Sequence, residues 1–196
     1  MSEFTAIRAV SQTLKELLES YITNSSEPEL KGVKVDLRSP KEMREDHNAL
    51  GISLWLYRVA RNQDLLNHPP VRPAPDRLLH HALPIDLYYL VTPLAAQPTD
   101  EQALMGRVLQ VFNDHATLRG GDLRDSLSGS PEELRLMLEA LSLEELTRVW
   151  HSLQESYQLS ASYLVQLVSI DSEREPLQTA PVVSIKSEYE QILSVT

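Results

Sequence analysis

The segment PEELRLMLEALSLEELTRVWHSLQESYQLSASYLVQLVSIDS, residues 131–172, carries the patterns that decide the fold. Ser142 and Glu145 have the spacing of a capping box, in which the two side chains satisfy free backbone N–H groups at the start of a helix. The predicted helix has one apolar side, formed at positions i, i+3, i+4 and i+7 by Leu146, Val149, Trp150 and Leu153.

After residues 154–156 the apolar period changes from that of a helix to that of a strand. One face of the predicted strand carries Leu159, Ala161, Tyr163, Val165 and Leu167, and the other carries Ser160, Ser162, Leu164, Gln166, Val168 and Ile170. A long strand with an apolar face needs a helix or a second sheet over it, and we expect the capped helix to provide that cover. The segment therefore predicts an α+β sheet domain.

The rest of the chain repeats these two periods. They predict a long helix at residues 3–22, with Phe4 in its apolar stripe. A second long helix is predicted at 99–118, with Thr99 as its N-cap and His115 in its buried stripe. Strands are predicted at 31–38, 49–61, 83–92 and 134–138. We interpret residues 39–48 as a loop, 62–81 as an extended crossing or a surface loop, and 119–131 as a loop or small hairpin, and we expect Pro93 to end its strand. The predicted fold is a mixed, mainly antiparallel sheet flanked by two long helices and one short helix. We expect one domain over residues 1–172, then a linker and extended tail at 173–196.

The composition argues against several classes of protein. With 28 acidic and 18 basic residues, the net charge of −10 repels a phosphate backbone, so we expect no nucleic-acid partner. The absence of cysteine removes disulfides, thiolate metal sites and cysteine nucleophiles. The first twenty residues lack an uninterrupted apolar core, and no apolar run approaches the ~18 residues of a membrane span, so we expect neither a signal peptide nor a membrane partner.

No recognised catalytic, phosphate-binding or metal-binding motif occurs in the chain, so we expect no catalytic residue, no metal and no cofactor. The unusual carboxylate is Asp86, inside a predicted strand. We favour a residue that faces solvent or pairs with an arginine such as Arg58 across the sheet. The alternative is an enzyme or a small-ligand-binding domain that uses Asp86 with His80 and His81.

Two groups of residues have both a structural and an interface interpretation. Tyr57, Tyr88, Tyr89 and Tyr163 are expected on strands, where most would pack in the core, although tyrosine is also enriched at protein contacts. The C-terminal apolar residues Val182, Val183, Ile185 and Tyr189 either cover an edge of their own sheet or add a strand to a neighbouring subunit. The sequence leaves this second choice open.

Four phrases in fixed order carry a family resemblance. They are LGISLWLYRVARNQDLLNHPP at 50–70, ALPIDLYYLVTPLA at 82–95, DEQALMGRVLQVFND at 100–114 and EELRLMLEALSLEELTRVWHSLQESYQLSASYLVQLVSID at 132–171. With the N-terminal helix, they resemble the N-terminal domain of the terminal cap protein of contractile injection systems of the antifeeding-prophage and virulence-cassette type. The resemblance covers residues 4–171.

The resemblance implies a structural protein without catalytic activity and with a fold like that of phage tail terminators. Such a subunit forms a six-fold ring on the end of the tube and sheath, stops polymerisation and ties the tube to the sheath. The implied partners are other copies of the chain, in a hexamer, and tube and sheath subunits. The protein would be cytoplasmic during assembly and then part of the particle. Larger family members carry a second domain after the equivalent of Asp171, whereas this chain has about two dozen residues there.

Contacts within such a ring would join different patches on neighbouring copies. We expect one sheet edge and the loop at 119–131, which contains Leu123 and Leu127, to make that contact. The tail, with Val182, Val183, Ile185 and Tyr189, is expected to reach a neighbouring subunit or the last sheath ring. The competing interpretation is an adaptor or chaperone that escorts tube or sheath subunits and is absent from the finished particle.

Overall fold

The computed structural model describes residues 4–25, 27, 30, 32–46, 51–65, 72–74 and 76–178. The chain divides into two compact units. The first consists of Met1–Asn67 and Ala82–Asp171, and the second of His68–His81 and Ser172–Thr196. The described part of the second unit contains a two-stranded antiparallel pair, β3 (Arg77–Leu78) with β8 (Leu177–Gln178). Strand β3 lies within residues 62–81, which were not predicted to contain a strand, and β8 lies in the predicted linker and tail at 173–196.

The first unit is built on a six-stranded sheet, which confirms the predicted α+β class. Its strands are β1 (Lys34–Asp36), β2 (Gly51–Arg61), β4 (Leu83–Leu94), β5 (Thr117–Arg119), β6 (Glu133–Leu138) and β7 (Ala161–Ile170). They lie in the order β1-β2-β4-β7-β6-β5. Only the edge strand β1 pairs in parallel, with β2, and the other four pairings are antiparallel.

Among the described residues, four α-helices accompany the sheet: α1 (Ala6–Leu18), α2 (Pro40–Glu45), α3 (Pro98–Asp114) and α4 (Leu143–Ser152). The predicted capping box of α4 is confirmed, because the Glu145 backbone N–H donates to the Ser142 hydroxyl at 3.3 Å and the Ser142 N–H donates to the Glu145 carboxylate at 2.8 Å. Helix α2 was missed in the region interpreted as a loop. The same S-x-x-E signal is present there, since Ser39 and Glu42 form a second capping box and Pro40 occupies the first turn.

One face of the sheet, called the helix face here, packs against α1 and α3. Residues directly opposite one another in the ladder share a face. The pairs Leu54–Val91, Leu56–Tyr89 and Leu87–Val165 therefore belong together, and all but the partly buried Leu56 are buried in one core cluster with Leu14 of α1 and Phe112 of α3. We had expected α4 to cover this strand face, and that prediction is wrong. Trp150 of α4 is fully buried outside that cluster.

The opposite side of the sheet, called the second face, carries the alternate residues. Its centre is closed, since Ser53, Leu90 and Thr92 are fully buried. Toward the end of β2 it is more exposed, and a row of side chains crosses four strands there through the pairs Arg58–Tyr88, Tyr88–Leu164 and Leu164–Met137. Tyr88 and Leu164 are half-buried, and Arg58 and Met137 are exposed.

Two β-bulges interrupt the alternation. Between the pairs Ile85–Val168 and Leu87–Val165, strand β7 has one more residue than β4, and Leu167 takes a φ of 66° there. An extra residue reverses the side-chain alternation beyond it, so Val168, not Leu167, continues the helix face with Val165. The predicted place of Leu167 on that face is therefore wrong. A second bulge lies at Tyr57 in β2.

Element ends also differ from the predictions. The N-cap of α3 is Gln97, with Pro98 in the first turn, and not Thr99. Strand β4 continues through Pro93 to Leu94. Pro93 pairs with Ile52 of β2 on one side, whereas on the other side the pairing with β7 ends at Val91. The missing N–H of the proline is therefore tolerated. Phe4, expected in the apolar stripe of α1, is 75% exposed. His115 is partly buried at the C-cap of α3, where its Nε2 lies 3.0 Å from the hydroxyl of Tyr21.

Candidate interaction surfaces

The carboxylate of Asp86 has a structural partner. Its Oδ1 accepts a hydrogen bond of 2.9 Å from Nδ2 of Asn62, and both residues are buried. Asn62 in turn accepts from the backbone N–H groups of Asp64 and Leu65 at 3.0 Å. The expected pairing of Asp86 with Arg58 is wrong, because the bulge at Tyr57 places Ala60 opposite Asp86. Asp86 therefore anchors the turn that follows β2.

Metal-binding residues do not converge in the part of the chain that the structure describes, where no group of three or more histidines and acidic residues could hold an ion. His80 and His81 of the alternative enzyme hypothesis belong to the second unit. None of the helices among the described residues is both long enough and apolar enough to span a membrane.

The four tyrosines on the strands divide between the two faces of the sheet. Tyr89 and Tyr163 lie in the core of the helix face, where the Tyr89 hydroxyl is 2.8 Å from Oγ of Ser11 and the Tyr163 ring contacts Phe112 edge to face at 4.7 Å. Burial raises the pKa of Tyr163 to about 12. Tyr57 and Tyr88 are only half-buried on the second face, with ring centroids 6.3 Å apart. The packing interpretation thus holds for the first pair, and the second pair is available for contact.

The half-buried part of the second face has its own polar and cationic contacts. The Tyr57 hydroxyl lies 2.9 Å from Oγ of Ser162, and Ser162 donates to the carboxylate of Glu139. The guanidinium of Arg58 lies 4.6 Å from the Tyr88 ring centroid, a cation–π distance. Tyrosine and arginine are enriched at the centres of protein interfaces. This part of the sheet is a candidate interaction surface.

The loop at 119–131 is tied to α1. Arg8 donates to the Asp125 carboxylate at 2.6 Å, and Arg124 donates to the Glu16 carboxylate at 2.7 Å. The hydrogen bond from Arg8 lowers the pKa of Asp125. Leu123 and Leu127, which we expected at a partner contact, are 1% and 2% exposed and belong to the core. Their side chains anchor the loop, so a contact made by this loop falls to its exposed polar residues.

The other predicted contact residues, Val182, Val183, Ile185 and Tyr189, lie outside the described residues. The tail contact remains a prediction.

A cleft of about 410 Å³ opens between α3 and strands β6 and β7. It is lined by Leu109, Gln110, Phe112, Asn113, Ala116, Leu136, Leu138 and Tyr163. Leu138, one of these residues, is 57% exposed. This cleft was not predicted from the sequence.

Exposed apolar side chains concentrate in the segment from β6 to just before β7. Five of the eleven exposed large apolar residues in the described part of the chain fall between residues 137 and 159: Met137, Leu138, Leu143, Tyr157 and Leu159. Helix α4 lies in this segment and buries only Trp150, although its apolar residues form a stripe.

Comparisons with known proteins agree with one another. A family model, the Pvc16 N-terminal domain, matches residues 9–184. The sheath/tube terminator of an extracellular contractile injection system, PVC, solved by cryo-EM in its extended state, superimposes with a TM-score of 0.61 and 22% sequence identity over 96% of this chain. The anti-feeding prophage cap, a tube-terminating cap also solved by cryo-EM, superimposes with a TM-score of 0.57 and 19% identity over 92% of this chain.

The chain spans 65% of the length of the terminator chain and 60% of the cap chain. At these identities the likeness establishes a shared fold. No curated protein is significantly similar to the chain in sequence.

Proposed function

Because the chain belongs to the Pvc16 N-terminal domain family, we propose that it is a structural subunit that caps a phage-tail-like contractile injection particle. The observation that carries the proposal is the family match over residues 9–184. It is supported by the fold, which the chain shares with a sheath/tube terminator and with a tube-terminating cap. In this role the protein ends tube and sheath polymerisation and links the two.

We propose further that six copies form a closed ring on the end of the particle. A closed ring joins one patch of each subunit to a different patch of the next. One such patch consists of the edge of β5, which pairs only with β6 among the described strands, and the exposed residues of the loop at 119–131, held rigid because Leu123 and Leu127 anchor the loop in the core. The tail with Val182, Val183, Ile185 and Tyr189 is proposed to reach a neighbouring copy or the last sheath ring.

The proposed role needs neither catalysis nor a cofactor. Its support is that Asp86, the residue that prompted the enzyme hypothesis, is hydrogen-bonded to Asn62 and anchors a turn. The net charge of −10 opposes contact with nucleic acid. The protein would assemble in the cytoplasm and leave it as part of the particle.

The decisive experiment compares particles from producing cells with and without the gene. Electron microscopy should show tubes and sheaths of uniform length in the presence of the protein and of irregular, greater length in its absence. An antibody against the chain should label one end of purified particles. Uniform particles in the deletion strain would overturn the proposal. Irregular particles together with no chain in the purified wild-type sample would identify an assembly chaperone instead.

A truncation after Gln178 tests the tail contact. This position preserves the β3–β8 pairing and removes residues 179–196. We expect the truncated chain to fold, as measured by an unchanged thermal unfolding transition, and to leave particle length irregular. Uniform particles made with the truncated chain would refute the tail contact and leave the capping role intact.

A further inference from the structure

The cleft between α3 and strands β6 and β7 has the size and the lining of a small-molecule site. Its volume of about 410 Å³ lies within the range of ~300–1,000 Å³ that is typical of ligand pockets. Most of its lining is apolar and comes from Leu109, Phe112, Ala116, Leu136 and Leu138. The remaining lining residues, Gln110, Asn113 and Tyr163, carry polar groups. Pockets of this composition hold a ligand by burying its apolar body and orient it by a few hydrogen bonds.

Tyr163 indicates what such a ligand would carry. The residue is only 4% exposed, and its hydroxyl makes no hydrogen bond with the residues that the structure describes. Tyr89, on the same face of the sheet, has Oγ of Ser11 at 2.8 Å from its hydroxyl. A buried tyrosine hydroxyl usually has a partner, because leaving it unpaired costs free energy. Tyr163 therefore lacks a contact that Tyr89 has.

The cleft is the place from which that contact can come. The wholly buried side-chain polar atoms that lack a partner in the described part of the chain belong to Thr92 and Arg107. The hydroxyl of Tyr163 thus keeps some accessible surface, and Tyr163 lines the cleft. Burial raises the pKa of Tyr163 to about 12, so at neutral pH the hydroxyl is protonated and can donate a hydrogen bond.

The charges around the cleft favour an uncharged ligand. None of the residues that line the cleft is ionisable in the neutral range, so the lining offers an ion no counter-charge. The charged residues of α3 that flank the lining, Arg107 and Asp114, have opposite signs. The guanidinium of Arg107 already donates to Oε1 of Gln110 at 2.8 Å and to the backbone oxygen of Tyr21 at 3.3 Å.

We propose that the cleft binds a small, uncharged molecule with an apolar body and one hydrogen-bond acceptor, which accepts a hydrogen bond from the Tyr163 hydroxyl. The site is independent of the capping role, and either can fail while the other stands. Because α3 bounds the cleft on one side and β6 and β7 on the other, a bound molecule bridges the helix and the sheet. Ligand binding to the folded state stabilises it in proportion to the logarithm of occupancy, so binding should also raise the Tm.

Two probes of the same shape test the role of the hydroxyl. Acetophenone carries a ketone oxygen where ethylbenzene carries two hydrogens, and both are titrated into the purified full chain while its backbone amide signals are followed by NMR. We expect both probes to shift the signals of cleft residues. Tyr163→Phe should weaken the binding of acetophenone about three- to tenfold, the loss of one hydrogen bond, and leave that of ethylbenzene unchanged. Comparing each probe across the two proteins removes the difference in their hydration.

Two results would overturn the proposal in this experiment. One is that neither probe shifts cleft signals at millimolar concentration. The other is that Tyr163→Phe changes the affinities of the two probes by the same factor, which would make the tyrosine a structural residue only.

A matched pair of substitutions tests whether the probes occupy the cleft. Ala116 lines the cleft and is exposed, and its neighbour Thr117 is exposed and does not line it. Ala116→Trp should fill the cleft and weaken acetophenone binding more than about tenfold, whereas Thr117→Trp should stay within about twofold of wild type. Thermal unfolding without probe checks that both variants are folded. Equal binding by the two variants would place the probe elsewhere on the chain and refute the site.

Discussion

The two faces of the six-stranded sheet are made by the same strands and have opposite character. On the helix face, Leu87 and Tyr89 of β4 are fully buried beneath α1 and α3. On the second face, Tyr88 of the same strand is half-buried and lies between Arg58 and Leu164. Alternation along one strand thus separates a surface that stabilises the subunit from a surface that remains available to a partner.

The difference arises from what each face packs against. Two amphipathic helices complete the core of the helix face, where the hydroxyls of Ser11 and Tyr89 satisfy each other. The exposed part of the second face relies on side chains from its own strands and from the chain after β6, such as Glu139. In the proposed assembly, this arrangement would separate folding from contact formation.

Matched leucine truncations should produce the largest difference between the faces. Leu87→Ala, on the helix face, should lower the free energy of unfolding by about 2–5 kcal/mol, because it leaves a cavity in a closed core. Leu164→Ala, half-buried on the second face, should lower it by about 1 kcal/mol. Urea denaturation of the two variants measures both values. Equal losses would show that the second face is as well packed as the first.

Alkaline pH should act mainly through the helix face. Burial raises the pKa of Tyr163 to about 12 and raises that of Tyr89 as well, whereas an unfolded tyrosine ionises near pH ~10. The folded protein then holds protons that the unfolded chain has lost, so stability is full below pH ~10 and falls as the pH rises toward the folded pKa. Each such proton contributes a slope of about 1.4 kcal/mol per pH unit.

Phenylalanine variants show which tyrosines cause this fall of stability with pH. Tyr163→Phe should make the decline of unfolding free energy between pH ~10 and ~12 shallower by about one proton. Tyr88→Phe is the control on the second face, where burial raises the pKa of a half-exposed ring and Arg58 lowers it. Its effect on the slope should be smaller. Equal effects of the two variants would contradict the difference between the faces.

Removing a single tyrosine hydroxyl should also lower the free energy of unfolding more on the helix face than on the second face, but by a smaller amount. Tyr89→Phe deletes the 2.8 Å contact with Ser11 and should lower the free energy of unfolding by about 1 kcal/mol. The cost is limited because Ser11 still donates to the backbone oxygen of Ile7 at 3.1 Å. Tyr57→Phe, on the second face, should change stability by less than about 0.5 kcal/mol. Thermal unfolding of both variants measures the difference, and a larger loss for Tyr57→Phe would reverse the ranking.

The sequence predicts the strands of the sheet well because their apolar period is long and their ends carry turn residues. Residues 83–92 and 134–138 fall inside β4 and β6, and the capping box of α4 follows from two residues alone. The missed helix α2 has the same signal at Ser39 and Glu42, but it is only six residues long, too short for an apolar period. For α2 the capping box, and not an apolar period, was the sequence signal that indicated a helix.

The faces themselves were harder to assign, because a bulge depends on pairing between strands distant in sequence. The extra residue at Leu167 forms against Asp86 of β4, and no local pattern announces it. One such residue exchanges the faces of all that follow. The interaction surfaces were harder still to predict. An apolar period does not distinguish a residue that packs against a helix of its own chain from a residue that contacts another protein chain.

The pair Arg58–Tyr88 offers the finest measure of how exposed the second face is. A double-mutant cycle with Arg58→Ala and Tyr88→Leu isolates the coupling free energy of the two side chains. At 4.6 Å between the guanidinium and the ring centroid, and with Arg58 exposed, we expect about 0.5–1 kcal/mol, as for cation–π pairs in contact with water. A coupling of about 2 kcal/mol or more is typical of a desolvated pair. That result in the isolated chain would mean that the second face is already covered, and its availability to a partner would have to be abandoned.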